Sequence, residues 1–156
     1  MANIDWGHLL FSFSGRINRG KFWLAVLIYI IISIVLTLIT VIIGSQTVGN
    51  ILGFIVNLAV FISGLSVAAK RLHDRNRSAW WLLVFYIVPG LLIGIGMAMA
   101  LYGALASSGG GSMTTIGSLL SLIGAGVAIW AFIELGCLRG TVGPNQYGPD
   151  PLEGRA

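Results

Sequence analysis

The apolar residues of this chain are gathered into long unbroken blocks instead of recurring at helical or strand spacing. A helix that is apolar on one stripe belongs to a domain facing water, whereas one that is apolar all round faces lipid or a protein interior. The hydrocarbon core of a bilayer is ~30 Å thick and a helix rises ~1.5 Å per residue, so a span needs about 20 mainly apolar residues. Four blocks meet that requirement: Phe22 to Ile43, Val48 to Ala69, Ala79 to Leu105 and Met113 to Leu138. The turn-prone stretch Gly44-Ser45-Gln46-Thr47 joins the first two and is short enough to force an antiparallel pair. The flexible, uncharged stretch Ser107-Ser108-Gly109-Gly110-Gly111-Ser112 joins the last two. A transmembrane strand is ~10 residues of alternating pattern, which these continuous blocks do not resemble. The pattern predicts an all-α integral membrane protein: a four-transmembrane-helix bundle over residues 22–138, a cytoplasmic or interfacial segment over 1–21, and a turn-rich cytoplasmic tail over 139–156.

Composition agrees, because 9% charged and 56% hydrophobic residues leave too little polar surface for a soluble domain of 156 residues. The distribution of charge then orients the bundle. Arg16, Arg19 and Lys21 precede the first span, Lys70, Arg71, Arg75 and Arg77 join the second to the third, and Arg139 and Arg155 follow the fourth. The two connections on the other side carry no Lys or Arg, so the positive-inside rule places both termini and the Lys70 to Ser78 loop in the cytoplasm. The net charge of +4 points to anionic lipid headgroups and away from nucleic acid, since most cations lie beside the spans. Met1 to Ser14 lacks the basic start of a cleavable signal, and the first span is expected to serve as its own targeting signal. Trp23 at the start of span one and Trp80-Trp81 at the start of span three are placed as interfacial anchors, ring in the apolar zone and indole N–H at headgroup level.

The richest polar segment is Lys70-Arg71-Leu72-His73-Asp74-Arg75-Asn76-Arg77-Ser78. Four cations beside an anionic leaflet, each worth about 1 kcal/mol at best, can hold an acidic headgroup. Arginine also grips phosphate bidentately. With Arg16 and Arg19, which follow the turn-forming Ser14-Gly15, the residues Lys70, Arg71, Arg75 and Arg77 form the candidate surface for an anionic headgroup or a partner protein. The plain alternative is that these cations only set topology. Asp74 is expected to pair with a neighbouring arginine, and the Ser78 hydroxyl to cap the third span. His73-Asp74 does not read as a catalytic or metal pair: neighbours on a helix diverge by about 100°, and the only other histidine is His8. Cys137, the single cysteine, is expected as a small buried apolar residue. No metal, cofactor or catalytic residue is expected.

Polar groups within the spans are few. Glu134 lies about one turn from the cytoplasmic end of span four, where pairing with Arg71 or Arg75 would offset the cost of a carboxylate near lipid. Asn57, near the middle of span two, is expected to hydrogen-bond to another helix. Pro89, with Gly90, Gly94 and Gly96, can kink span three and admit a close neighbour. Gly49 with Gly53, and Gly117 with Ser121 and Ala125, repeat a small-xxx-small spacing that packs helices within the bundle or across a homo-oligomer. The Gly/Pro-rich run Arg139 to Pro151, with Tyr147 in its midst, is expected to fold back on the cytoplasmic face as a series of turns.

Gly15-Arg16-Ile17-Asn18-Arg19, Arg71-Leu72-His73-Asp74 with Ser78-Ala79-Trp80-Trp81, and Gly143-Pro144-Asn145-Gln146-Tyr147-Gly148-Pro149-Asp150-Pro151 together resemble the small bacterial inner-membrane proteins catalogued as domain of unknown function 805. The resemblance covers nearly the whole chain, with one departure, Ala79 where glycine is expected. It implies a multi-pass protein of the bacterial inner (plasma) membrane and brings no reaction, substrate or catalytic residue. Three functions compete: a non-enzymatic bundle binding anionic lipid or a partner through its basic face; a small transporter or channel subunit, for which only Asn57 and Glu134 could line a path; and a membrane-embedded enzyme acting on a lipid or phosphorylated substrate through His73, Asp74 and Glu134. The first is favoured by the cation clustering.

Overall fold

In a computed structural model describing residues 5–106 and 110–153, the chain forms two compact units, residues 1–79 with 138–156 and residues 80–137. Ser107, Ser108 and Gly109 of the last linker, and Arg155 of the tail, lie outside the described residues. The described residues are helical apart from turns and one isolated bridge between Asn145 and Gly148. Four helices are long and apolar enough to cross a membrane: Arg19–Ile43, Gln46–Asp74, Leu83–Leu105 and Gly111–Cys137.

The first unit contains α1 (Trp6–Phe11), α2 (Arg19–Ile43) and α3 (Gln46–Asp74). Side chains just upstream start each of them, satisfying backbone N–H groups that the first turn leaves open. Asp5 accepts from His8 N at 3.0 Å and Asn18 from Lys21 N at 2.9 Å, and Ser45 caps α3. Gly44, in the left-handed region at φ 65°, ends α2 with its N–H on Thr40 O, which reverses the chain into α3 as the short connection requires. At the far end of α3, Asn76 is left-handed (φ 56°). Arg77 N donates to Leu72 O and Asn76 N to His73 O, a paired closure that leaves Arg75 as the C-cap.

The apolar core of this unit, Leu9, Ile17, Ala25 and Val67 with Leu10, Phe22 and Tyr29 around it, sits at the basic end. Tyr29 Oη and Ser63 Oγ meet at 2.7 Å between α2 and α3, and Gly49 admits Thr40 close to the α3 backbone. Further along, side chains such as Ile34, Ile42 and Phe54 are exposed, the surface that hydrocarbon covers.

The second unit comprises a π-helical turn (Leu83–Ile87), α4 (Val88–Leu105), α5 (Gly111–Phe132) and a second π-helical turn (Ile133–Cys137). The first π turn ends two residues before Pro89, whose ring would strike the carbonyl four residues back and which offers no N–H; the widened turn accommodates it. The helical stretch begins at Trp81, after a turn over Ala79 and Trp80, so Ser78 lies upstream of the cap position expected for it. Leu83 N bonds Trp80 O at 3.0 Å, tightening that entrance. Helices α4 and α5 touch backbone to backbone: a Cβ at Gly96 would strike Gly117 O and Ser121, and one at Gly103 would strike Gly110 O and Thr114. Trp81, Phe85 and Trp130 form an aromatic cluster with centroids 5.1 to 5.6 Å apart, two of its contacts edge to face. Cys137, expected to be buried, is exposed. At the end of a membrane helix it is the bilayer, not a protein core, that covers an apolar side chain.

Candidate functional site

The polar residues singled out in the sequence gather in the first unit, at the end of α3. Asp74 lies there between two arginines. Arg16 approaches one carboxylate oxygen with Nε at 3.2 Å and Nη2 at 3.1 Å, while Arg71 holds the other oxygen through Nη1. The side chains are almost fully covered, with relative exposures of 1% for Arg16, 0% for Arg71 and 5% for Asp74. Two buried cations and one carboxylate leave a positive charge, and burying it is tolerable only when every donor finds an acceptor.

The C-terminal segment supplies those acceptors. Arg16 Nη1 donates to Gly143 O at 2.7 Å and Gly148 O at 3.2 Å; its Nη2 donates to Thr141 O at 2.7 Å and Thr141 Oγ1 at 3.2 Å. With Nε on Asp74, all the guanidinium N–H groups are occupied. Arg71 Nη2 donates to Leu138 O, and Arg75 Nη1 to Arg139 O at 2.8 Å. The strap is fastened to α3 by its backbone as well: Thr141 N donates to Asp74 O at 2.8 Å, and Asn145 Nδ2 to His73 O at 2.9 Å. Gly140 passes so close that a Cβ there would overlap the Asp74 carboxylate.

The strap holds its own shape through Asn145 N to Gly148 O and the reciprocal bond, both 3.1 Å, with Tyr147 N donating to Asn145 Oδ1 at 2.9 Å. That fixes Tyr147 flat on His73, with centroids 3.9 Å apart and planes 5° from parallel, while His73 Nδ1 faces Gly15 O at 3.2 Å. Asp150 ties the strap's two ends, accepting from Gly143 N and Leu152 N, each at 2.9 Å. Those bonds, Leu152 first, hold its carboxyl below the usual carboxylate range, and Arg16 and Arg139 act in the same direction.

Lys70 is fully buried too, but it serves α1: its Nζ donates to the carbonyls of His8 and Leu9, and Ser66 Oγ donates to Leu10 O. A helix leaves its last carbonyls without intrahelical donors, and side chains of α3 provide them here. Arg16, Lys70, Arg71 and Asp74 are thus spent on joining the N-terminal segment, α3 and the strap. Arg19 and Arg139 are exposed and line one small cleft with Asn18, Thr141 and the acidic residues Asp74 and Asp150, while Arg75 and Arg77 are partly exposed. Trp23 is exposed in the first turns of α2 and Trp80 is exposed in the turn before the third span, while Trp81 belongs to the aromatic cluster of the second unit. Glu134 is buried in the second π-helical turn. Among the described residues no group of His, Cys, Asp and Glu could hold a metal ion.

The sequence indicated a folded tail but not what it clasps. Gly143, Asn145 and Gly148 stood out only as part of the third motif, and nothing marked Thr141 or the carbonyls of Gly143 and Gly148 as partners of Arg16, because backbone acceptors are common to every residue type. The family described as "Protein of unknown function (DUF805)" matches residues 10–149, a stretch that contains Arg16, Arg71, Asp74 and the C-terminal segment as far as Pro149. The chain belongs to the DUF805 family. This DUF805 protein is 31% identical to the inner membrane protein YhaH of Escherichia coli (strain K12) over 90% of its own length and 87% of that protein's. It is 29% identical to the inner membrane protein YhaI over 92% and 88%, and 29% identical to the uncharacterized protein YiiR over 90% and 86%, both of the same strain. No solved structure matches this DUF805 chain.

Proposed function

We propose that this is a non-enzymatic protein of the bacterial inner membrane whose basic end faces the cytoplasm and binds anionic lipid headgroups. The orientation rests on the confinement of Lys and Arg to one side of the four spans. A green fluorescent protein fused to the C-terminus should therefore fluoresce in cells, while an alkaline phosphatase fused there should be inactive. The reverse pattern would place the clamp in the periplasm and sink the reading.

One observation carries the binding assignment. With Arg16, Lys70 and Arg71 engaged internally, Arg19 and Arg139 stand exposed beside one small cleft of the first unit, whose lining also includes Asp74, already held by Arg16 and Arg71, and Asp150. Asp74 between two guanidiniums and His73 beneath Tyr147 support a structural role for the pair that an enzyme would use for acid/base work. The test is native mass spectrometry of the detergent-purified protein, comparing wild type with Arg19→Gln/Arg139→Gln. At about 1 kcal/mol per cation near an anionic surface, each replacement should weaken retention of an anionic phospholipid roughly fivefold, and salt should do the same. Equal retention by a folded variant, or an acidic protein retained in place of lipid, overturns the lipid assignment.

A further inference from the structure

Helix α3 carries a polar stripe that the clamp does not use. Gln46, Asn50, Gly53, Asn57 and Gly64 are spaced by 4, 3, 4 and 7 residues, which at about 100° per residue places all of them within roughly 60° of one another around the helix. Gln46, Asn50 and Asn57 are exposed, and a Cβ added at Gly53 or Gly64 would meet nothing within 4 Å. Asn57 lies about 16 Å along α3 from Gln46, near the middle of the span. Its Nδ2 donates to Gly53 O at 2.7 Å, and Gln46 Nε2 donates to Asn50 Oδ1 at 3.1 Å. Among the described residues nothing donates to Asn57 Oδ1 and nothing accepts from Asn50 Nδ2. Beside the stripe a groove of about 460 Å³ opens between α2 and α3, lined by Thr37, Thr40 and Ser45 as well as by Gln46 and Asn50.

Hydrocarbon offers an amide no partner, so such a face at this depth is stable only when another polar surface covers it. We infer that a second copy of this chain covers it, in a two-fold dimer packed along α3 with Asn57 facing its own equivalent. All copies of a membrane protein insert in one orientation, so a two-fold axis along the membrane normal sets each residue opposite itself at the same depth. A lysine or a carboxylate would then repel its mate. A carboxamide carries both donor and acceptor, and each Asn57 can give its second N–H to the other's Oδ1. The open glycines on either side let the two backbones approach closely enough for that exchange.

Single cysteines introduced into a Cys137→Ser background and oxidised in native membranes test this. Gly53→Cys should give a covalent dimer. Leu58→Cys, exposed at similar depth but about 140° round the helix from Gly53, should remain monomeric. Adding Asn57→Leu to Gly53→Cys should lower the dimer yield, with dimerisation weakened roughly three- to thirtyfold, and Asn57→Gln, which keeps the amide, should restore most of it. Equal yields at the two positions, monomer at both in a folded protein, or indifference to Asn57→Leu each overturns the dimer and leaves the stripe to lipid or to a different protein. Should Asn57→Leu fail to fold, the contrast between Gly53→Cys and Leu58→Cys decides alone.

Discussion

Asp74→Ala should cost about 3–5 kcal/mol of stability, because it leaves the buried guanidiniums of Arg16 and Arg71 without their shared counter-charge. Breaking a buried ion pair from one side is costlier than the pair is worth, since the stranded charge must be hydrated or displaced. Here displacement has a defined route. Arg16 can reach water only by releasing Thr141, Gly143 and Gly148, so the strap should come away with it. The expected signature is a lower unfolding temperature in detergent together with protease cleavage between Arg139 and Pro151 that wild type resists. Asp74→Asn keeps the shape but not the charge and should show the same effect in smaller measure. An Asp74→Ala protein that unfolds at the wild-type temperature with its tail intact would mean that the ion pair does not hold the strap.

The second large effect lies between α4 and α5. Gly117→Ala places a methyl group against Gly96 O and Ala100 N, both backbone atoms that cannot rotate away. Overpacking of this kind costs about 1–3 kcal/mol, and the upper part of that range is expected because relief requires the helices to separate. Gly94→Ala on the same hairpin meets nothing within 4 Å and should be neutral, or stabilising by up to about 1 kcal/mol through higher helix propensity. Thermal unfolding of the two variants side by side checks the assignment. If both lose stability equally, the loss comes from helix or lipid effects common to glycine sites and not from the close approach.

The small residues of span four were visible as Gly117, Ser121 and Ala125 at a spacing of four. In the structure Gly117 and Ser121 do straddle Gly96, but the contact then recurs at intervals of seven, through Gly96 and Gly103 on α4 and, opposite them, Gly110 at the N-cap of α5 with Gly117 and Gly124 within it. Two helices running alongside each other meet again only every two turns, a repeat of about seven residues. A single chain of letters does not say which glycines share that line; Gly90 and Gly94 look equivalent to Gly96 until the partner helix is in place.

The spans themselves were set by the sequence alone, because a bilayer demands about 20 consecutive apolar residues and tolerates few alternatives. The bias of Lys and Arg to one side is equally a property of the sequence. What those cations do is not. Arg16 and Arg19 stand three positions apart in one motif, yet Arg16 is sealed against Asp74 and the strap while Arg19 is exposed at the start of α2. The difference arises because Asp74 and Thr141 come from segments 58 and 125 residues away and converge on one guanidinium. Charge, length and donor count are the same for a buried arginine and an exposed one. Only the tertiary structure, by bringing a carboxylate and a row of backbone carbonyls to one of them, decides which becomes part of the scaffold and which stays at the surface.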